Sequence, residues 1–233
     1  MCCLSIYQNP FGNVVFTHNR DEQVSRVGAE DRIYQLESFW MPVDPSSNGT
    51  WIATSGRLTA SLLNGYQRKH DKKESYARSR GTIIPLLMQV GSIDAFVQKF
   101  DPHGYEPFTL LAYHHGRELV EFGWDETNFR IKTLDPTAAH FYASATLYSP
   151  RVVAERTLLF KSYLSAHSSA EQIWTLHRER GNDHRYFFNV VIDDQMETLA
   201  VSQIEVGRTT TFRYLSLNNS AEQIIKINNY ETV

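Results

Sequence analysis

Cysteine supplies the most nucleophilic of the common side-chain groups, and this chain of 233 residues carries its only two cysteines side by side at Cys2 and Cys3. If Met1 is removed, which the small Cys2 side chain permits, a thiol and a free α-amine share one residue. A simple α-amine titrates at about 7.7–8.0, suited to a general base, so nucleophile and base coincide. Some fifteen residues on comes Thr17-His18-Asn19-Arg20-Asp21-Glu22. Arg20 would favour the thiolate, and Asp21 would hold the α-amine or a substrate amine through charge-assisted hydrogen bonds. A plainer account also fits: Cys2 and Cys3 as small apolar strand residues, with Arg20, Asp21 and Glu22 as an ordinary charged turn.

The histidines offer a rival chemistry. His114-His115 falls in a predicted hairpin turn, and His177 and His184 flank a predicted helix end. No HxH, HExxH or Cys/His grouping has ligand spacing, so no metal site is expected and the turn pair reads as solvated. Aromatic residues, among them Phe39-Trp40, Trp51, Phe141-Tyr142 and Tyr186-Phe187-Phe188, are expected mainly between sheets and helices. A minority would suffice to line a pocket for a bulky apolar ligand such as an acyl chain or porphyrin.

Positioning Cys2 against Asp21 requires the chain to begin inside a sheet. Residues 2–7 and Val14 to His18 read as two strands around Asn9-Pro10-Phe11-Gly12-Asn13, a hairpin that returns Arg20 and Asp21 beside the N-terminus. A second hairpin is predicted from Trp51–Thr54 and Leu58–Leu63, after a loop over Pro42–Thr50. The charged stretch Gln67–Arg80 is explained most simply as a mobile surface loop. Helices are predicted over Thr82–Val90 and Ser92–Phe100, then a strand meander from Phe108 to Ser144. Two more helices follow over Arg151–Ala166 and Ser169–Arg180, with Gly181 as a stop signal. Three antiparallel strands come last: Arg185–Ile192, Glu197–Ile204 and Thr209–Leu217. Alternating blocks of strands and helices predict an α+β fold with helices packed on antiparallel sheets, in a single domain over residues 1–233.

Composition narrows the partners. Hydrophobic residues make up 42% and charged residues 21% of the chain, a balance that excludes extensive disorder. Twenty-three Lys and Arg against 26 Asp and Glu leave a net charge of −3, so no global field gathers nucleic acid or anionic membrane. The one basic stretch, Gln67–Arg80, offers only Tyr76 for base stacking, which argues against a nucleic-acid partner. No stretch approaches the roughly 20 apolar residues of a membrane span, and the residues after Met1 lack a signal-peptide pattern. Adjacent cysteines rarely form a disulfide. A reducing, cytoplasmic setting is expected.

Met1-Cys2 with Asn19-Arg20-Asp21-Glu22 resembles the signature of the NRDE family, also called the transport-and-Golgi-organisation family. Further landmarks follow in order: Gly49-Thr50-Trp51, Leu63-Asn64, Arg80-Gly81 and Ser149-Pro150, so the resemblance runs to about Asp193. That family is similar to N-terminal nucleophile hydrolases, and more distantly to the bile-salt hydrolase and penicillin V acylase group. The resemblance implies a four-layer αββα sandwich and hydrolysis of a linear amide without a cofactor, on a small-molecule amide substrate. By motif position Cys2 would be the nucleophile, Asp21 the amine-holding carboxylate and Asn64 an oxyanion donor, although Asn64-Gly65 reads equally as a turn. Arg20 and Arg185 would be the cations near the nucleophile.

One departure stands out. Where the family reads Ser-Asn before Thr-Pro-Trp, this chain has Ala143-Ser144 before Ser149-Pro150-Arg151, so Ser144 replaces the second expected asparagine. Loss of one oxyanion donor lowers turnover by roughly 10²–10³. The departure motivates an alternative: a non-catalytic carrier or chaperone holding an amphipathic ligand in the same cleft, with haem, to which some relatives are linked, as the first candidate.

Overall fold

The computed structural model describes residues 2–26, 32–166, 168–181, 183 and 187–229. The chain opens with β1 (Cys2–Gln8) and β2 (Val14–Gln23), paired antiparallel so that Cys2 lies opposite Arg20 and Gln8 opposite Val14. The turn between them is held by Asn9, whose Oδ1 accepts from the backbone N–H of Phe11 and Asn13. Then come β3 (Ile33–Leu36), β4 (Phe39–Pro42), β5 (Ile52–Ser55) and β6 (Leu58–Asn64), followed by α1 (Ile83–Val90) and α2 (Ile93–Lys99). Strands β7 (Phe108–His114), β8 (Glu118–Trp124), β9 (Phe129–Leu134) and β10 (His140–Ala143) lead to α3 (Pro150–Ala166) and α4 (Ala170–Arg178). The remaining strands are β11 (Arg180–Gly181), β12 (Asn189–Asp193), β13 (Met196–Val206), β14 (Thr209–Ser216) and β15 (Glu222–Asn228).

Among the described residues these strands make two sheets. One runs β3-β4-β5-β6-β7-β8-β9. The other runs β10-β1-β2-β13, with β12 and β14 sharing the far edge of β13, β11 beyond β12 and β15 beyond β14. All pairings are antiparallel except the two-residue contact of β11 with β12. Side-chain alternation then sorts the core. Leu4, Ile6, Val14 and Phe16 point at the opposite sheet and meet Ile52, Leu63, Leu111 and Tyr113 there. Cys3, Tyr7 and Val15 point the other way, onto Phe160, Ile173 and Leu176 of α3 and α4. Helices α1 and α2 cover the outer face of the β3–β9 sheet through Ile84, Leu87 and Phe96 against Ala60, Leu110 and Phe122. The result is the αββα order that the resemblance implied.

Local signals account for the helix ends. Ser92 caps α2 by accepting from Ala95 N–H, and Ser169 with Gln172 forms a capping box at α4. Gly181, expected to stop α4, lies instead in β11, because the helix already ends at Arg178. A Cβ there would fall 2.1 Å from the Phe187 ring, so close ring packing accounts for the glycine. The expected meander holds for β7, β8 and β9, but β10 crosses to the other sheet and pairs with β1. Strands β3, β4 and β15 were not legible in the sequence; β15 is an edge strand with only Ile227 buried.

Candidate active site

Alternation along β1 and β2 decides which side chains meet Cys2. Cys2 and Arg20 are register partners on the face turned toward the opposite sheet, and both line one cavity of about 400 Å³. Asn64, the last residue of β6, brings its side chain to the same cavity from the opposite sheet. Its neighbour Gly65 adopts φ +80°, and a Cβ there would lie 3.2 Å from Ala145 and Thr146, so the Asn-Gly pair is also the tight turn its sequence suggested.

Arg20 is held from two sides. It donates to Asp44 Oδ2 and lies over the Trp51 ring at 4.6 Å. Asp44 opens a loop in which its Oδ1 accepts from the N–H groups of Ser46 and Ser47. Burial alone would raise the Asp44 carboxyl, but Arg20 and Arg26 outweigh it and hold it below the usual carboxylate range. The wall opposite is made by a backbone contact between two landmarks of the sequence: a Cβ on Gly49 would sit 2.6 Å from Gly81 Cα, and Thr50 N–H donates to Gly81 O at 3.0 Å. Only glycine fits on both sides of that approach. The charged stretch expected to be a surface loop is part of the same wall, contributing Lys72, Tyr76, Arg78 and Arg80. Arg80 is tied down by Glu106 at 2.9 Å and by Pro107 O at 3.0 Å.

Cys2 is 5% exposed, and burial raises its thiol above the ordinary range, with Asp21 adding to that and Arg20 opposing it. Its backbone nitrogen donates to Ser144 Oγ at 2.8 Å, and Ser144 N–H returns a bond to Cys2 O at 2.9 Å. Ser144 therefore meets the nitrogen of Cys2, and its side chain is not among those lining the cavity.

Asp21 lies one residue beyond Arg20 and so on the opposite face of β2. Its carboxylate accepts from Tyr148 Oη and Thr198 Oγ1, each at 2.7 Å, and burial raises its pKa against those bonds and the nearby Arg156 charge. Arg156 is itself wholly buried, stacked over Tyr148 at 4.2 Å and donating to Phe187 O. Arg185 lies outside the described residues, as does Met1.

The sequence reading missed Asp44, Tyr148, Arg156 and Thr198. Arg156 was the most detectable, since it occupies the apolar stripe of α3 between Val152 and Phe160, where a charge needs a buried partner. The histidines take structural places. His177 bridges Ser5 Oγ at 2.8 Å and Asn19 Oδ1 at 2.5 Å between α4 and the sheet. His115 reaches Thr59 Oγ1 at 2.9 Å, so it is not the solvated turn residue expected. His184 lies outside the described residues, among which no cluster of His, Cys, Asp and Glu has metal-binding geometry. No described helix is long and apolar enough to cross a membrane.

The layered fold is of the type seen in the N-terminal nucleophile hydrolases. A mutant of conjugated bile acid hydrolase from Clostridium perfringens superposes with a TM-score of 0.61 at 8% identity, over 99% of this chain and 94% of that one. A second variant of the same enzyme gives 0.62 at 8% identity and the same coverage. Penicillin V acylase from Agrobacterium tumefaciens gives 0.60 at 8% identity, over 98% of this chain and 86% of that one. At these identities the likeness concerns the fold. The chain belongs to the transport and Golgi organisation 2 family, whose sequence profile matches residues 1–212. No curated protein matches the sequence.

Proposed function

We propose that this protein is a cysteine amidohydrolase that cleaves a linear C–N amide bond, with Cys2 as N-terminal nucleophile after removal of Met1. The observation that carries this reading is the meeting of Cys2, Arg20 and Asn64 in one polar cavity, with the Cys2 nitrogen hydrogen-bonded to Ser144. In the processed chain that nitrogen becomes the α-amine. It takes the thiol proton as Sγ bonds to the substrate carbonyl carbon and the C=O π pair moves onto oxygen, beside the Asn64 amide. The carbonyl re-forms, the C–N bond breaks, and the proton passes to the leaving nitrogen. Water then adds to the thioester, the S–C bond breaks, and the acid departs as the thiol regains its proton. Arg20, fixed by Asp44 and Trp51, favours the thiolate. Ser144 orients the α-amine; Arg185 favours the thiolate, whereas the Asp21 carboxylate opposes it and favours the protonated amine.

No cofactor enters this cycle. Lys72 and Arg78 stand at a cavity lined by five cations and three carboxylates among the described residues, which favours a substrate bearing a negative charge. The setting is a reducing cytoplasm, where both thiols stay free, as they are in this structure. The test joins intact-mass analysis with hydrolysis of acyl-amide probes. The purified protein is expected to lack Met1, and Cys2→Ala to lose all turnover; Met1 retained on active protein sinks this mechanism.

A second reading rests on a separate cavity of about 720 Å³ beside α3. Phe141, Tyr142, Leu147 and Val153 give it apolar walls, with Arg68 and Lys69 also lining it. That combination suits an amphipathic anion, haem included, carried without catalysis. Tyr142 and Tyr148 donate to Glu121 and Asp21, whereas Tyr66 Oη accepts from Gln67 Nε2 at 3.1 Å, which makes Tyr66 the phenol that would hold a haem iron there. Haem titration is expected to give a saturable Soret shift that Tyr66→Phe weakens; no shift at micromolar protein overturns the carrier reading.

A further inference from the structure

The end of the sandwich remote from Cys2 carries a larger cavity, of about 910 Å³, built from turns, the ends of β7 and β13, and the chain following β15. Strand β1 alone, at about 3.3 Å per residue, separates the two ends by roughly 20 Å. Three of the four turns contain Gly-Arg: Gly56-Arg57 between β5 and β6, Gly116-Arg117 between β7 and β8, and Gly207-Arg208 between β13 and β14. The fourth supplies Gly12 and Asn13. His114 and His115, whose pKa values burial lowers so that both are neutral at pH 7, add polar rings beside the three arginines, and among the described lining residues none is acidic. A concentration of cations of this kind runs against the chain's net charge of −3.

The cavity is framed by fixed contacts. In one sheet, His115 N–H donates to Arg57 O at 2.9 Å, which joins the two turns, and Gly116 N–H donates to Tyr113 Oη at 3.0 Å within the β7–β8 turn. In the other, a Cβ on Gly207 would strike the Asn13 amide at 2.3 Å, and Asn229 Nδ2 donates to Gly207 O at 2.6 Å. Arg57 and Arg117 therefore stand on one sheet and Arg208 on the other, with the cavity between them. Burial and then the Arg117 charge lower the pKa of His114, with Arg57 also contributing, so these positive groups act on common ground. Guanidinium forks on two facing walls suit a ligand with several anionic oxygens, and the volume fits an organic molecule of nucleotide size.

We propose that this cavity is a second ligand site, which binds a phosphate-bearing anion between Arg57 and Arg117 of one sheet and Arg208 of the other. The phosphate belongs either to a soluble molecule or to a lipid headgroup, and Phe11 separates the two. It lies at the tip of the β1–β2 turn beside the cavity and is 83% exposed, the placement of a side chain that enters a bilayer surface.

The test measures binding of inorganic tripolyphosphate, and of vesicles carrying a phosphoinositide in neutral lipid, at constant ionic strength. The wild-type chain is expected to saturate with at least one probe. The variant Arg57→Ala/Arg117→Ala/Arg208→Ala, folded by circular dichroism, is expected to bind at least about tenfold more weakly. Arg151→Ala, an exposed arginine on α3, is expected to bind as the wild type. Tripolyphosphate binding without vesicle binding assigns a soluble ligand; vesicle binding that Phe11→Ala weakens assigns a headgroup. Failure of both probes to saturate, or equal binding by the triple variant, overturns the proposal.

Discussion

Cys2 and Cys3 carry the same thiol one residue apart, and strand alternation places them in different media. Cys2 faces the opposite sheet, where a polar cavity reaches it and Arg20 is its cross-strand partner. Cys3 faces the helices, closed in by Phe141, Phe160 and Phe188 with no exposed surface. Burial raises both thiols and drives that of Cys3 far up, well beyond the range where a thiolate forms in neutral water. The same split divides β2, with Arg20 on the cavity face and Asp21 beneath the helices. A signature of four consecutive residues therefore serves two compartments, one open to ligand and one dry.

The largest effect that would sharpen this contrast is selective thiol labelling. The folded protein is expected to take up one equivalent of a small alkylating reagent, at Cys2, and a second only on denaturation. Because the Cys2 thiol is raised, its labelling rate should still be climbing through pH 9. Arg20→Ala is expected to slow that rate at fixed pH and Asp21→Ala to increase it, since one removes a cation and the other an anion acting on the thiol. Peptide mapping that finds Cys3 labelled as fast as Cys2 would break the comparison.

Stability separates the two faces by a smaller margin. Removing the Asp21 carboxylate takes away the acceptor that the Tyr148 and Thr198 hydroxyls share and deprives buried Arg156 of its nearby anion. Asp21→Ala should therefore cost about 3–5 kcal/mol in urea unfolding. Arg20→Ala leaves Asp44 with Arg26 and two backbone N–H donors, in a site that water reaches, and should cost about 1–2 kcal/mol. Equal costs would show that the two compartments do not differ in dryness.

How much of this could be read from the chain follows from the range of each signal. The β1–β2 hairpin was legible because a Pro-Gly-Asn turn sits between two apolar runs, and that hairpin alone places Cys2 beside Arg20. Asn64 was legible as the end of an apolar strand. The partners of Asp21 were not, since Tyr148 and Thr198 lie 127 and 177 residues away and nothing local marks them. The role of the 67–80 stretch was hidden for a similar reason: its charges look solvated until Gly49 meets Gly81 and turns the segment into a cavity wall. The landmarks Gly49-Thr50-Trp51 and Arg80-Gly81, separate in sequence, are one contact in space.

The smallest effect distinguishes the faces by proton uptake. His18 points between the sheets, wholly buried, with Nδ1 on Ser61 Oγ at 2.6 Å, and burial lowers its pKa to about 3. His177 lies on the helix side, and burial likewise drives it well below its ordinary value. In the unfolded chain each titrates near its usual value of about 6.5, so between that pH and its folded pKa the unfolded state binds more protons. Stability is therefore fully present above about pH 6.5 and falls with acid, by at most ~1.4 kcal/mol per pH unit for each histidine. His18→Gln and His177→Gln should each flatten the dependence of urea-unfolding free energy between pH 6.5 and 4.5, and the double variant should flatten it by the sum. If His18→Gln alone leaves the slope unchanged, that ring is charged in the folded protein, and the space between the sheets is as wet as the cavity at Cys2.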